Sequence, residues 1–226
     1  MTGRPISTVV LISGRGSNLQ ALIDQAQRGN LPIRISAVIS NVSDAPGLNR
    51  ARKAQIRTFV VDHRRFTTRA QFDRALMQTI DHHQPALIVL AGFMRILGAA
   101  FIDHYAGRLL NIHPSLLPRF PGLDTHRRAL QSGAVEHGAT VHFVTRDLDA
   151  GPIVVQKSVP IFQQDTPDTL AARVLEVEHV IFPLAVRWFA EGRLGVRDGK
   201  AWLDKRIALP QTQTEDNSRL AQSEPA

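Results

Sequence analysis

Two polar residues interrupt an apolar run near the middle of the chain. Residues 108–121 read R-L-L-N-I-H-P-S-L-L-P-R-F-P, with Asn111 and His113 set among Leu109, Leu110 and Ile112. Residues two apart on a strand share a face, so a strand here displays an amide and an imidazole side by side. Pro114 cannot donate to a sheet ladder and biases His113 towards extended backbone, and Pro118 and Pro121 stiffen the loop that follows. An amide N–H can donate to a developing oxyanion, and an imidazole can stabilise the same charge or move a proton. The loop R-D-L-D-A-G-P at 146–152 supplies carboxylates, Asp147 and Asp149. Amide, imidazole and carboxylate are the parts needed for acyl transfer to an external nucleophile, provided the fold brings Asp149 to His113. The same residues also suit a satisfied core amide and an ordinary loop histidine, and spacing alone leaves both readings open.

A second stretch is suited to an anion. Residues 8–13 (T-V-V-L-I-S) read as a buried strand that runs directly into G-R-G-S-N at 14–18, and Leu19, Leu22, Ile23 and Ala26 then repeat at helical spacing. Ser17 or Asn18 is the expected N-cap. Strand, glycine turn and helix together aim backbone N–H groups and a positive dipole end at one point. The third glycine of a dinucleotide fingerprint is replaced by Leu19, and the strand at 33–39 ends in Ser40-Asn41 without the acid that holds the ribose of NAD. No Gly-Lys-Ser/Thr follows, so the turn is not a Walker A loop. A phosphomonoester is therefore favoured over NAD or ATP, with Ser17 and Asn18 adding side-chain donors and Arg15 adding charge. A tight turn without a ligand is the alternative.

The elements that must position these residues alternate. Strands are expected at 58–61, 85–90 and 109–113, and helices at 46–54, 68–82 and 98–105. This order predicts an α/β fold, a Rossmann-like open and mainly parallel sheet flanked by helices. After a short helix at 125–130, strands at 139–145 and 153–159 alternate in polarity and predict an antiparallel extension in the C-terminal half. Thr166-Pro167 opens the longest helix, to about residue 192, and Asp198-Gly199 marks a hairpin within 196–203. The segment A-G-F-M-R-I-L at 91–97 leaves more apolar surface than a loop needs, which suits a flat apolar ligand or a buried helix start. One domain is expected over 1–204, with a polar, disordered tail at 205–226.

Composition narrows the function. The chain has 226 residues, no cysteine, and 27 Lys+Arg against 20 Asp+Glu, a formal charge of +7. Disulfides and thiolate metal sites are excluded, and a reducing cytoplasm is the expected compartment. No signal peptide and no membrane span is expected. The basic excess fits anionic small molecules or nucleic acid, but the charges are scattered, and aromatics at 6% are not interleaved with them as a stacking platform requires. Nine histidines are present, yet none has the H-E-x-x-H pattern or a zinc spacing, so no metal is expected. There is no G-x-S-x-G elbow for a nucleophilic serine.

Several longer segments carry a resemblance: V-V-L-I-S-G-R-G-S-N-L-Q, S-N-V-S-D-A-P-G-L, V-L-A-G-F-M-R-I-L, H-Y-A-G-R-L-L-N-I-H-P-S-L-L-P, F-P-G-L-D-T-H, H-G-A-T-V-H-F-V, L-D-A-G-P-I and E-H-V-I-F-P-L. Together they resemble the phosphoribosylglycinamide formyltransferase family, folate-dependent enzymes of purine synthesis. N-I-H-P-S-L-L-P alone marks a wider superfamily that includes methionyl-tRNA formyltransferase and formyltetrahydrofolate hydrolase. The G-x-G-S-N turn and the short single domain point to the glycinamide branch.

The resemblance implies that Asn111, His113 and Asp149 are catalytic. It implies that Gly16, Ser17 and Asn18 bind the ribonucleotide phosphate and Glu178 the ribosylglycinamide part. Arg69, the backbone of Met94, Arg95, Ile96 and Leu97, and Asn111 would bind the cosubstrate 10-formyltetrahydrofolate. The expected partners are these small molecules, not nucleic acid or membrane, in a monomer or homodimer. Two residues depart from the family pattern: Arg15 in the glycine turn, and Ala150 after Asp149 where a second glycine is common. The hydrolase would carry an extra N-terminal domain and the tRNA enzyme a C-terminal RNA-binding domain. A non-catalytic phosphate or nucleic-acid binding protein is the rival of a different class.

Overall fold

In a computed structural model, which describes residues 4–204 and 206–207, the apolar runs become a seven-stranded mixed sheet. Its strands are β1 (Ile6–Ile12), β2 (Ile33–Ser40), β3 (Thr58–Val60), β4 (Leu87–Leu90), β5 (Leu109–His113), β6 (Glu136–Phe143) and β7 (Ile153–Pro160), in the order β3-β2-β1-β4-β5-β6-β7. The first five pair in parallel, and β6 and β7 continue antiparallel. The expected α/β sheet with its antiparallel extension is present. The strand order reverses between β1 and β4, and ligands of open α/β sheets bind beyond the carboxyl ends of the strands at such a point.

Both faces of the sheet are covered, which explains why β1 is apolar throughout instead of alternating. Val10 and Ile12 pack on one side with α1 (Ser17–Gln27), α2 (Gly47–Lys53) and α6 (Pro167–Ala190). Val9 and Leu11 pack on the other with α3 (Arg69–Asp81) and α4 (Ala99–His104). The short α5 (Thr125–Gln131) adds Ala129 to the first side. The Thr166 hydroxyl accepts the Thr169 N–H at 3.2 Å while the Thr169 hydroxyl accepts the Thr166 N–H at 2.9 Å, and Pro167 occupies the first turn.

Three details differ from the sequence reading. α1 has no side-chain cap: its N-cap is Gly16 at φ 70°, and Ser17 and Asn18 already lie in the helix. Gly16 takes this position because the turn packs on the start of α2, where a Cβ would sit 2.7 Å from the Gly47 Cα. β6 begins at Glu136, three residues earlier than expected, because β7 pairs with it over its whole length. The expected hairpin forms from β8 (Leu194–Arg197) and β9 (Lys200–Leu203), but β10 (Arg206–Ile207) adds a third strand. Of the tail expected over 205–226, residues 206–207 form this strand, and 205 and 208–226 lie outside the described residues.

Candidate active site

The glycine turn leaves β1 and is held from the side by α2. The Gly47 N–H donates to the Gly14 carbonyl at 3.0 Å, and Arg50 donates through Nε to the Arg15 carbonyl at 2.9 Å and through Nη1 to Gln20 Oε1 at 3.3 Å. The first N–H groups of a helix have no partner within it. Those of Ser17, Asn18 and Leu19 have no partner among the described residues and converge at the positive end of α1. The Asn18 side chain is turned elsewhere: its Nδ2 donates to Glu178 Oε2 at 2.6 Å across the α1–α6 contact. Asn18 therefore offers an anion its backbone N–H. Glu178 is buried, and that burial raises its carboxyl above the usual range against the opposing Asn18 hydrogen bond.

At the carboxyl end of β5 the structure brings Asn111, His113 and Asp149 together. His113 Nδ1 lies 3.4 Å from Asp149 Oδ2, and Asp149 Oδ2 also accepts the Gly122 N–H at 2.8 Å. Asp149 itself has φ 52°, a left-handed turn conformation that Asp adopts more readily than most residues. His113 Nε2 lies 3.0 Å from the Phe120 carbonyl. A carbonyl only accepts, so this nitrogen carries a proton, and a second proton on Nδ1 would face the carboxylate.

A fourth residue, His142, completes the cluster. The β5–β6 register sets Asn111 directly opposite His142, and the Asn111 Nδ2 to His142 Nε2 distance is 3.0 Å. His142 Nδ1 lies 3.0 Å from the Phe143 carbonyl and must donate to it. Burial pushes the imidazole below its ordinary range, so the ring is neutral at pH 7 and Nε2 is a lone pair. This pairing fixes which end of the Asn111 amide is the donor. Asp149 Oδ1 is 3.7 Å from the same Nε2. The sequence placed His142 and Thr140 on one face but gave His142 no role, because the role follows from cross-strand register. Thr140 supports the loop after Pro114: its hydroxyl accepts the Leu117 N–H at 3.1 Å and donates to the Ser115 carbonyl at 2.6 Å. Arg50 was also missed, since its contact with the turn depends on the packing of Gly16 on Gly47.

The segment at 91–97 is a loop, and its apolar residues divide. Phe93 and Leu97 turn into the core, while Met94 and Ile96 are 63% and 61% exposed. Arg95 and Arg69 are exposed beside it, both within electrostatic reach of the buried Asp73. Among the described residues no group of three or more His, Asp or Glu side chains is arranged to hold a metal ion, and no helix is long and apolar enough to cross a membrane.

Known proteins share this architecture. Residues 6–186 match the family described as formyl transferase. The chain is 53% identical to the phosphoribosylglycinamide formyltransferase of Escherichia coli (strain K12), over 91% of this chain and 97% of that one. It is 47% identical to the Haemophilus influenzae protein of the same name, over 90% of this chain and 95% of that one. The solved phosphoribosylglycinamide formyltransferase of Coxiella burnetii superposes with a TM-score of 0.86 at 54% identity, covering 90% of this chain and 95% of the other.

Proposed function

The chain belongs to the phosphoribosylglycinamide formyltransferases of the formyl transferase family, enzymes of formyl transfer in purine biosynthesis, and we propose how its residues carry that reaction out. One observation supports the assignment of roles above the others: an oriented amide donor, an imidazole and a carboxylate meet at the end of β5.

The cosubstrate is 10-formyltetrahydrofolate, with its ring at Arg69 and the 94–97 backbone. The ribonucleotide phosphate sits on the Gly16, Ser17 and Asn18 backbone at the start of α1, and Glu178 takes the ribosylglycinamide end. The glycinamide amine attacks the formyl carbon, a C–N bond forms, and the carbonyl electron pair moves onto oxygen. Asn111 Nδ2–H and the protonated His113 imidazole hold that oxyanion. Asp149 orients His113 and retains its second proton. The attacking nitrogen loses its proton, the folate nitrogen gains one, and the bond between formyl carbon and folate nitrogen breaks. Preorganised donors at a developing oxyanion are the largest single contribution such a site can make, and no covalent enzyme intermediate is required. The substrates are small molecules, the working unit is the single domain over 1–204, and the compartment is the cytoplasm.

The test is release of tetrahydrofolate by the purified protein from 10-formyltetrahydrofolate, with and without 5-phosphoribosylglycinamide, formate being measured separately. Release only with the ribonucleotide, and without formate, is expected. Formate release without it would instead indicate a hydrolase.

A further inference from the structure

The loop joining β4 to α4 has little hydrogen-bonded structure of its own, yet side chains from two other elements pin it at both ends. At its start the Met94 N–H donates to Ser13 Oγ at 2.7 Å. At its end the Gly98 N–H donates to Asp73 Oδ2 at 2.8 Å. Ser13 is the residue after β1, and its own N–H donates to the Gly92 carbonyl at 3.1 Å. Its hydroxyl proton is committed to Asn41 Oδ1 at 2.5 Å, and Asn41 is buried, so an Oγ lone pair is left facing Met94.

Asp73 reaches the loop from α3. It is 5% exposed, an unusual position for a carboxylate on an otherwise apolar helix face. Its Oδ1 is enclosed without a hydrogen-bond partner, and its nearest cations are Arg69 and Arg95. The fit at Gly98 is close: a Cβ there would lie 2.7 Å from Asp73 Oδ2. A buried carboxylate kept for one backbone N–H has no evident value to the core, where an apolar side chain would cost less. It does fix one peptide unit of the loop.

Between the pins, the N–H groups of Arg95, Ile96 and Leu97 have no partner among the described residues, nor have the carbonyls of Met94, Arg95, Ile96 and Leu97. A fixed backbone edge of unpaired donors and acceptors is what a flat heteroaromatic ring with both kinds of group on its rim requires. Holding that edge in place beforehand removes the cost of ordering it when the ring binds. We infer that Ser13 and Asp73 are positioning residues that preset the 94–98 backbone for the ring of the folate cosubstrate. The inference rests on the reading of this loop as the folate site.

The test uses Ser13→Ala, Asp73→Ala and Asp73→Asn in the full chain. Steady-state constants are measured for both substrates, with calorimetric binding of tetrahydrofolate. Losing either pin is expected to raise the KM for 10-formyltetrahydrofolate and the Kd for tetrahydrofolate about tenfold, the ordinary effect of one lost hydrogen bond. The KM for the ribonucleotide and kcat should change less than about threefold, because neither side chain touches the reacting groups. Asp73→Asn keeps an acceptor for the Gly98 N–H and should recover most of the loss. It also separates this hydrogen bond from the charge facing Arg69 and Arg95. Equal losses for both substrates, or an unchanged folate constant in a folded Ser13→Ala protein, would overturn the inference while leaving the functional reading intact. If Asp73→Ala does not fold, Ser13→Ala and Asp73→Asn still decide. A wild-type protein that neither binds tetrahydrofolate nor transfers a formyl group would remove the functional reading, and this inference with it.

Discussion

The glycine turn and the Asn111 cluster both lie at the carboxyl end of the sheet, but they are built by opposite means. The turn is five consecutive residues, 14–18, whose working groups are backbone N–H groups shaped by Gly16 at φ 70°. The cluster takes Asn111 and His113 from β5, His142 from β6 and Asp149 from the loop before β7, and its working groups are side chains brought together by strand register. A contiguous backbone site fails when its shape changes. A side-chain site fails when one group is removed. The two regions should therefore break differently: the cluster in kcat, the turn in the KM for the ribonucleotide.

The largest difference is expected from His113→Gln. Positioned proton-handling groups contribute about 10²–10⁴ in rate, so kcat should fall by that order with the ribonucleotide KM little changed. A loss confined to KM would erase the distinction between the regions.

His137 lies on β6, with its ring 5.2 Å from that of His126 and 5.9 Å from that of Phe120. Burial, with a smaller contribution from the His126 charge, pushes it from 6.5 to about 4. A histidine depressed in the fold gives stability that is present above its unfolded value and is lost as pH falls through the folded one. His137's contribution to the unfolding free energy should therefore drop by up to about 3 kcal/mol between pH 6.5 and 4, at about 1.4 kcal/mol per pH unit. In His137→Gln the slope over this window should be shallower by that contribution, His126 and His142 remaining depressed by burial. Thermal or urea unfolding across it gives the answer, and identical slopes for the two proteins would show that His137 is not the sensor.

Gly16→Ala probes the turn. The added Cβ meets the Gly47 Cα at 2.7 Å and must adopt left-handed backbone, a strain of roughly 1–2 kcal/mol. The ribonucleotide KM should rise about tenfold or more, the equivalent of 1.4 kcal/mol per decade, while the folate KM holds. Steady-state kinetics with each substrate varied would show whether the damage stays local.

A smaller effect is expected at Glu178. Burial raises its carboxyl, so it takes up a proton at a higher pH than an ordinary glutamate. The ribonucleotide KM should accordingly begin to rise above the usual carboxylate range as pH falls, and Glu178→Gln should flatten that profile. A carboxyl raised in the fold stabilises below its unfolded value, and this contribution is lost as pH rises through the folded one. Glu178→Gln should thus match or exceed the wild-type Tm at pH 8 while binding ribonucleotide a few-fold less well. A lower Tm would mean that the Asn18 hydrogen bond outweighs the burial penalty.

What was legible in the sequence follows the same division. Strand β1, the glycine turn and α1 are contiguous, so residue order alone located the turn. The Asn111–His113 spacing was readable because period two is a local property of a strand. The closeness of Asp149 to His113 was not, since it depends on how the 146–152 loop returns over β5. His142 was the clearest omission: alternation put it on a face with Thr140, but only the pairing of Asn111 with His142 makes it the partner that orients the amide. The N-cap is not legible in the sequence: Ser17 and Asn18 have cap chemistry, whereas close packing on Gly47 makes the cap position a glycine.

The most direct test of the account is the single-turnover rate of formyl transfer by Asn111→Ala, measured beside its thermal midpoint. Loss of one oxyanion donor should cost about 10²–10³ in rate with the midpoint within a few degrees of wild type. A folded Asn111→Ala protein that transfers the formyl group at a near-normal rate would contradict the central claim that this oriented amide holds the developing charge.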